Sequence, residues 1–211
     1  MSKNLAIIGA GELGKQIAHI AISNNLYNNI IYFDDYYDEE IFNGYKVVGS
    51  IKILLASFKK GLFDEVIIGI GYHHMAFRES LFLKIKDYKI PFGKVIHSSV
   101  IIDSTAKIGD GVIIYPGVII DSNVKLKDNV LLNVGVSISH DTIINSHCFI
   151  SPRVALAGFI VIGQKCILGV NSTIIDGVTI SDSIQIGGGT VVIKNLIKQG
   201  LYVGNPARFI R

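Results

Sequence analysis

Residues 112–132 read VIIYPGVIIDSNVKLKDNVLL, in which Ile114, Ile120, Leu126 and Leu132 stand six apart. Extended in both directions, the series runs from Ile96 to Val192 without a slip, every sixth residue being Ile, Leu or Val. A helix repeats about every 3.6 residues and a strand every two, so neither imposes a strict period of six. A hexapeptide β-helix does, because each flat side of its triangular coil uses one such unit and three units close the coil. Residues eighteen apart then stack, and Ile102, Ile120, Ile138, Leu156, Ile174 and Val192 form one inward ladder.

Two positions before each aliphatic residue stand mostly small or β-branched side chains, among them Val112, Val118, Val124, Val130, Val136 and Val154. An inward position near a tight corner requires such residues. Just after the aliphatic position come Asp103, Gly109, Asp121, Asn133, Asn145, Gly163, Gly169 and Gly187. These residue types tolerate left-handed backbone, so the corner is expected there. Residues 96–193 are thus predicted to form roughly five coils of left-handed β-helix with no extruded loop. Lys194 to Arg211 leaves the period and reads as a tail packed on the last coil.

Residues 1–93 follow another pattern, alternating strand and helix as in a small Rossmann-like α/β unit with a parallel sheet. A strand through Leu5–Ile8 runs into Gly9-Ala10-Gly11-Glu12-Leu13-Gly14 and then a helix. A second strand ends on Asp34 and Asp35, Val47-Val48 adds a short strand and Ile53 to Phe58 a helix, and a further strand reads Glu65 to Gly71. An amphipathic helix is expected over 74–88, with Met75, Phe77, Leu81, Phe82 and Ile85 on its apolar stripe. GxGxxG between a strand and a helix lets backbone approach a pyrophosphate at a helix amino end. Asp34, twenty residues past Gly14, would meet a ribose in a nicotinamide enzyme, but no dehydrogenase-type catalytic domain follows. A nucleoside diphosphate of another kind fits the turn equally well.

Bulk properties narrow the classes. The chain has 211 residues, 49% of them hydrophobic, and a formal net charge of +3. That charge is too small and scattered for nucleic acid, though it suits an anionic small ligand. No apolar run spans a membrane, and Met1-Ser2-Lys3-Asn4 lacks a secretory signal, so a cytoplasmic protein without membrane insertion is expected. Cys148 and Cys166 fall eighteen apart at inward positions and read as buried, reduced thiols.

Within the repeats, His140 lies two residues past Ile138, outside the inward ladder, with Ser122 and Gly158 as its neighbours one coil away. Small neighbours leave room for a substrate, and the adjoining Asp141 would raise the basicity of the imidazole. A base of this kind serves acyl transfer to an amine or hydroxyl. A surface histidine without a role accounts for the spacing equally well. His147 follows seven residues on, but no third ligand stands at a matching offset, so no metal is expected.

The whole chain resembles the bacterial sugar O- and N-acyltransferases, typified by sialic-acid O-acetyltransferases and nucleotide-aminosugar N-acetyltransferases. The resemblance is carried by Ile8-Gly9-Ala10-Gly11, Phe33-Asp34-Asp35, Gly69-Ile70-Gly71, Asn133, Ser139-His140-Asp141, Ala157-Gly158, Leu168-Gly169-Val170-Asn171-Ser172, Gly187-Gly188-Gly189 and Val203-Gly204-Asn205-Pro206-Ala207. It implies that His140 is a general base helped by Asp141, with Asn133 near the ring. It implies that residues 1–93 hold a nucleotide-sugar at Gly9, Ala10, Gly11, Asp34, Asp35, Gly69, Ile70 and Gly71. Acyl-CoA would lie along the β-helix of residues 94–211, between subunits of a homotrimer, against Gly158, Val170 and Gly188. Lys194 and Arg208 suit the CoA phosphates. The Gly158 N–H is a candidate donor to the tetrahedral oxyanion. Three positions depart from the family: Leu13 replaces a His in the glycine turn, Phe149 replaces a second His at the acyl donor, and Arg153 replaces a common Gly. Phe149 is therefore placed at the acyl end of the groove.

The function expected is acetyl-CoA-dependent N-acylation of a nucleotide-linked amino sugar by direct transfer. O-acetylation of a sugar acid is the nearest alternative, differing only in the acceptor. A non-catalytic solenoid, a metal-dependent hydratase and a nicotinamide oxidoreductase are further alternatives. An ice-binding surface is disfavoured, because Thr105, Thr142, Thr173, Thr179 and Thr190 do not form one outward face.

Overall fold

The computed structural model describes residues 3–211; Met1 and Ser2, which begin the tetrapeptide considered for a secretory signal, lie outside the described residues. The chain divides into two compact units, the first ending at Val95 and the second running from Ile96 to Arg211.

The first unit contains β1 (Asn4–Ile8), α1 (Glu12–Ser23), β2 (Asn29–Phe33), β3 (Ile41–Phe42), β4 (Tyr45–Gly49), α2 (Leu54–Lys59), β5 (Glu65–Ile68) and α3 (Met75–Asp87). The sheet order is β3-β4-β2-β1-β5. β1, β2, β4 and β5 run parallel, and only β3 opposes β4, in a short hairpin of which the sequence pattern suggests the Val47-Val48 strand alone. Leu5 to Ile8 are wholly buried, which is why β1 reads as a continuous apolar run rather than an alternation. β5 stops at Ile68, so Gly69-Ile70-Gly71 lies beyond its carboxyl end instead of within the strand.

α3 departs from its expected stripe. Leu81, Phe82 and Ile85 are buried as expected, but Arg78 joins them and Phe77 is 47% exposed. The Arg78 guanidinium earns its inward place by donating to the carbonyls of Ile68, at 3.3 Å, and Ile70. Burial pulls its pKa down to about 10.

The second unit is a left-handed parallel β-helix of two- and three-residue strands. The ladder pairs in register from Ile102 through Ile120, Ile138, Leu156, Ile174 and Val192. From Ile120 onward each ladder residue is at most 2% exposed. Burying such a side chain is worth about 1.5–3 kcal/mol, so the repeated ladders and the β-branched residues between them supply the core. The tail adds strand Gly200–Val203 parallel to Ile184–Ile186, and Arg208–Phe209 turns back along it. These strands cover an edge that would otherwise be open to pairing.

The corner lies elsewhere than expected. Left-handed backbone recurs three residues after the aliphatic position, at Asn123, Asn129, Asp141, Arg153, Phe159 and Asn171 among others, with φ between 55° and 59°. Glycines just after the aliphatic position serve close approach between coils. A Cβ at Gly163 would fall 2.5 Å from the Asp182 nitrogen, and one at Gly169 2.6 Å from the Gly187 carbonyl carbon.

Cys148 and Cys166 are free and buried, with their thiols directed to the carbonyls of Gly163 and Ser181 at 3.0 and 3.2 Å. Among the described residues, no helix is long and apolar enough to cross a membrane.

Candidate active site

In the first unit, a cavity of about 280 Å³ opens beyond the carboxyl ends of the strands, with Gly9, Asp34, Asp35, Tyr36, Ile70 and Phe77 among its lining residues. Its floor depends on glycine. A Cβ at Gly14 would fall 2.1 Å from the Gly9 oxygen, and one at Gly9 2.8 Å from the Gly69 oxygen. Gly11 caps the amino end of α1 and, like Gly71, faces open space where a Cβ would be. The middle glycine of the motif therefore leaves backbone open to a ligand, where a helix amino end favours an anion.

Asp34 is committed to its own backbone. Its Oδ2 accepts the Ala10 N–H at 2.8 Å, and its Oδ1 accepts those of Tyr36 and Tyr37 at 2.8 and 3.1 Å. It thereby fastens the end of β2 to the glycine turn, in place of reaching for a ribose. Asp35 Oδ1 accepts from the Ser50 hydroxyl at 2.5 Å and the Ile51 N–H at 2.8 Å, fixing the entry to α2. His74, which the sequence offers as a ligand contact or, more readily, as a helix start, also lines this cavity.

In the second unit, strand Ser137–Ile138 is paired on both sides, and His140 leaves it at the next corner. Asp141 donates its N–H to Ser122 O at 2.9 Å and takes the left-handed φ of 56°. Its Oδ2 then lies 3.0 Å from His140 Nδ1. Phe159, itself left-handed and 59% exposed, meets the imidazole edge to face at 5.0 Å. The ring extends over Gly158, where a Cβ would fall 2.8 Å from Cε1 and 2.9 Å from Nε2. Only glycine leaves that space.

The Gly158 N–H is already donated, to Asp176 Oδ1 at 2.8 Å. The sequence points to this amide as an oxyanion donor; in the structure a carboxylate occupies it. Asn133 also departs from expectation. Its Oδ1 accepts the Val134 N–H at 2.7 Å, and it makes no hydrogen bond to the imidazole, which Asp141 and Phe159 hold instead.

Phe149 is 7% exposed, on a strand paired with Leu131 and Ile167. Val170 is 47% exposed, and a Cβ at Gly188 in the next coil would lie 3.3 Å from its oxygen. Lys194 and Arg208 are exposed. Leu13 is half-buried in the first turn of α1, and Arg153 is an exposed left-handed corner. His147 is 5% exposed and paired through Nδ1 with Asn129 at 3.0 Å. Among the described residues, no three His, Cys, Asp or Glu side chains are placed to hold a metal ion.

Phe159 and Asp176 are absent from the sequence-derived site. The column through Ser122, His140 and Gly158 continues to Asp176 and Lys194 at the same interval of eighteen, so Asp176 was within reach of the period. Phe159 carries no such signal.

Comparison with known proteins agrees with this architecture. Residues 4–85 match the family model described as the PglD N-terminal domain. No curated protein matches the chain. Among solved structures, the acetyltransferase domain of PglB from Neisseria gonorrhoeae, in complex with acetyl coenzyme A, is similar over all of both chains, at 25% identity and a TM-score of 0.92. A histidine-to-alanine mutant of GDP-perosamine N-acetyltransferase from Caulobacter crescentus, in complex with CoA and GDP-perosamine, is 26% identical over all of both chains, also with a TM-score of 0.92. WeeI from Acinetobacter baumannii shares the fold at 23% identity and a TM-score of 0.87, covering 98% of this chain and 99% of its own. With a glycine turn at the head of one unit and a histidine corner on a hexapeptide β-helix in the other, the chain is similar to the sugar N-acetyltransferases among these structures.

Proposed function

We propose that this protein is an acetyl-CoA-dependent N-acetyltransferase acting on the amino group of a nucleotide-linked amino sugar. The observation that carries the reading is the half-exposed imidazole of His140, paired with Asp141 on one side and lying over Gly158 on the other. The glycine-turn cavity supports a nucleoside diphosphate on the first unit, with open space where a Cβ on Gly11 would stand. The similar PglB domain was solved with acetyl coenzyme A, and the similar perosamine enzyme with CoA and GDP-perosamine.

In this reading the acceptor amine sheds one proton to solvent and attacks the thioester carbonyl. His140 takes the second proton as the N–C bond forms. The tetrahedral intermediate collapses with cleavage of the C–S bond, and the imidazolium returns its proton to the CoA thiolate. Amide and free thiol result, with no acyl-enzyme. Val170, Gly188, Lys194, Arg208 and Phe149 are assigned to the acyl donor, and Asp34 and Asp35 shape the acceptor cavity.

The same reading carries a homotrimer, with the donor groove between subunits, and a cytoplasmic location. Ile101 and Ile119, stacked on one flat side at 63% and 48% exposure, support association through the β-helix. Light scattering of the purified protein tests the assembly.

The decisive experiment incubates the protein with acetyl-CoA and a panel of GDP-, UDP- and dTDP-linked amino sugars, following release of free thiol. Turnover with at least one of them is expected. Turnover confined to free sugar acids would replace the reading with O-acetylation, and tight NADH binding without thiol release would abolish it.

A further inference from the structure

Asp176 has no part in the reading above, yet it stands at the same corner as the imidazole. It lies two coils from His140 along the column, with Gly158 between them. Its Oδ1 is anchored on the Gly158 N–H at 2.8 Å, which aims the carboxylate, and its Oδ2 accepts no hydrogen bond among those of the described residues. The side chain is exposed, so a ligand can reach it. The position a Cβ would take on Gly158 is 2.9 Å from His140 Nε2 and 3.2 Å from Asp176 Oδ1, so the two side chains converge on this one residue.

The two groups ask for the same kind of partner. Nδ1 of His140 faces the Asp141 carboxylate and carries the ring proton, so Nε2 is an acceptor. The Asp176 carboxylate is an acceptor as well. A hydroxyl has one hydrogen and satisfies only one of them. An amine has two or three hydrogens and satisfies both, and its ammonium form gains from the negative charge.

We infer that Asp176 is a specificity-determining residue that reads the acceptor's amino group, so that this corner takes amines in preference to hydroxyls. This inference rests on the acyl-transfer reading and goes beyond it by deciding between N- and O-acylation. Asp176 Oδ2 accepts one N–H of the bound amine while Nε2 accepts the hydrogen that is removed during attack.

Asp176→Ala and Asp176→Asn test this, with GDP-perosamine as the amine probe and GDP-rhamnose as its hydroxyl counterpart. Calorimetry without acyl donor measures both affinities, and thiol release gives kcat and KM. Wild type is expected to prefer the amine, and each variant to raise KM for it by about tenfold or more, the size of one lost hydrogen bond to a charged group. The preference over the hydroxyl probe should shrink by a similar factor. CoA affinity and melting temperature should stay at wild-type values, which separates the effect from a structural one.

If KM and the amine preference stay within about twofold of wild type in both variants, Asp176 does not read the acceptor. A rise in kcat at unchanged KM would also overturn the inference, because the carboxylate would then merely block the Gly158 amide. Should no GDP-, UDP- or dTDP-linked amino sugar bind wild type, the acyl-transfer reading fails and takes this inference with it. Turnover of an amino sugar with unaltered variants defeats this inference alone.

Discussion

His140 and Asp141 are adjacent in sequence, yet Nδ1 and Oδ2 meet at 3.0 Å because Asp141 takes a left-handed φ of 56°. Neighbours on a strand point to opposite faces, so this pair exists only because the corner falls between them. His140→Ala should lower kcat by about two to four orders of magnitude, the usual worth of a general base, with an unchanged melting temperature. Asp141→Asn should cost less, since Asn tolerates positive φ and still holds the ring by a neutral hydrogen bond. Unchanged kcat in a folded His140→Ala protein would assign proton removal to another group.

The absence of a side chain at Gly158 is as much a part of the site as the imidazole. A methyl there would sit 2.8 Å from Cε1, closer than packed carbons allow, and would push the ring from its corner. Gly158→Ala should reduce kcat by about tenfold to a thousandfold, because small displacements of a reacting group cost up to two orders of magnitude. Gly158 has no left-handed φ, so folding should survive. Wild-type kcat in a folded Gly158→Ala protein would show that the imidazole need not lie over this residue.

The glycines of the turn separate fold from binding. Gly14→Ala drives a methyl to 2.1 Å from the Gly9 oxygen and should unfold the first unit or lower its melting temperature sharply. Gly11→Ala meets nothing within 4 Å and should melt like wild type. If a diphosphate approaches the backbone there, the same methyl should weaken binding of nucleoside diphosphates. Undiminished calorimetric affinity in Gly11→Ala would move the phosphates away from this turn.

The β-helix was legible in the sequence because its period is covalent spacing made visible: one unit per flat side, one coil per eighteen residues. The corner was not, because Asp, Asn and Gly occur on both sides of it. Arg153, Phe159 and Lys165 occupy left-handed positions against their preference, which blurs the compositional mark. His140 and Gly158 were found as stacked neighbours. Asp176 needed the column carried one coil further, and Phe159 is reached only through the corner geometry. Asp34 and Asp35 fit a ligand-binding pattern, but pattern alone does not show that three backbone N–H groups already claim Asp34.

The two cysteines should be chemically silent. Both thiols lie in the core at 1% exposure or less; burial pushes the Cys148 thiol well above its ordinary pKa, while its hydrogen bond with Cys148 draws the Cys166 thiol below it. Reaction needs access to the sulfur as well as the thiolate, so a colorimetric disulfide reagent should label neither residue in the folded protein and both after denaturation. Fast labelling of the native protein would mean that the coils around Cys148 and Cys166 open readily.

Gly135 and Arg153 occupy successive positions in one corner column, with φ of 68° and 59°. The conformation is the same and the residues differ, so exchanging their character measures what the corner costs. Arg153→Gly relieves an L-residue of left-handed backbone, a penalty of roughly 1–2 kcal/mol. The added freedom of glycine in the unfolded chain returns about 0.5–1 kcal/mol of that. The arginine stem also lies over Gly135, its Cγ 3.6 Å from where a Cβ there would be, so a little packing is lost. The net expectation is a gain of up to about 1 kcal/mol, or roughly 2–4 °C in melting temperature for a chain of this size. Gly135→Ala should move the other way, because it imposes the same backbone penalty and recovers little contact. Calorimetric melting of both variants checks the pair. If Arg153→Gly melted below wild type, the stem's contact over Gly135 would outweigh the backbone strain, and the arginine would be holding the corner rather than burdening it.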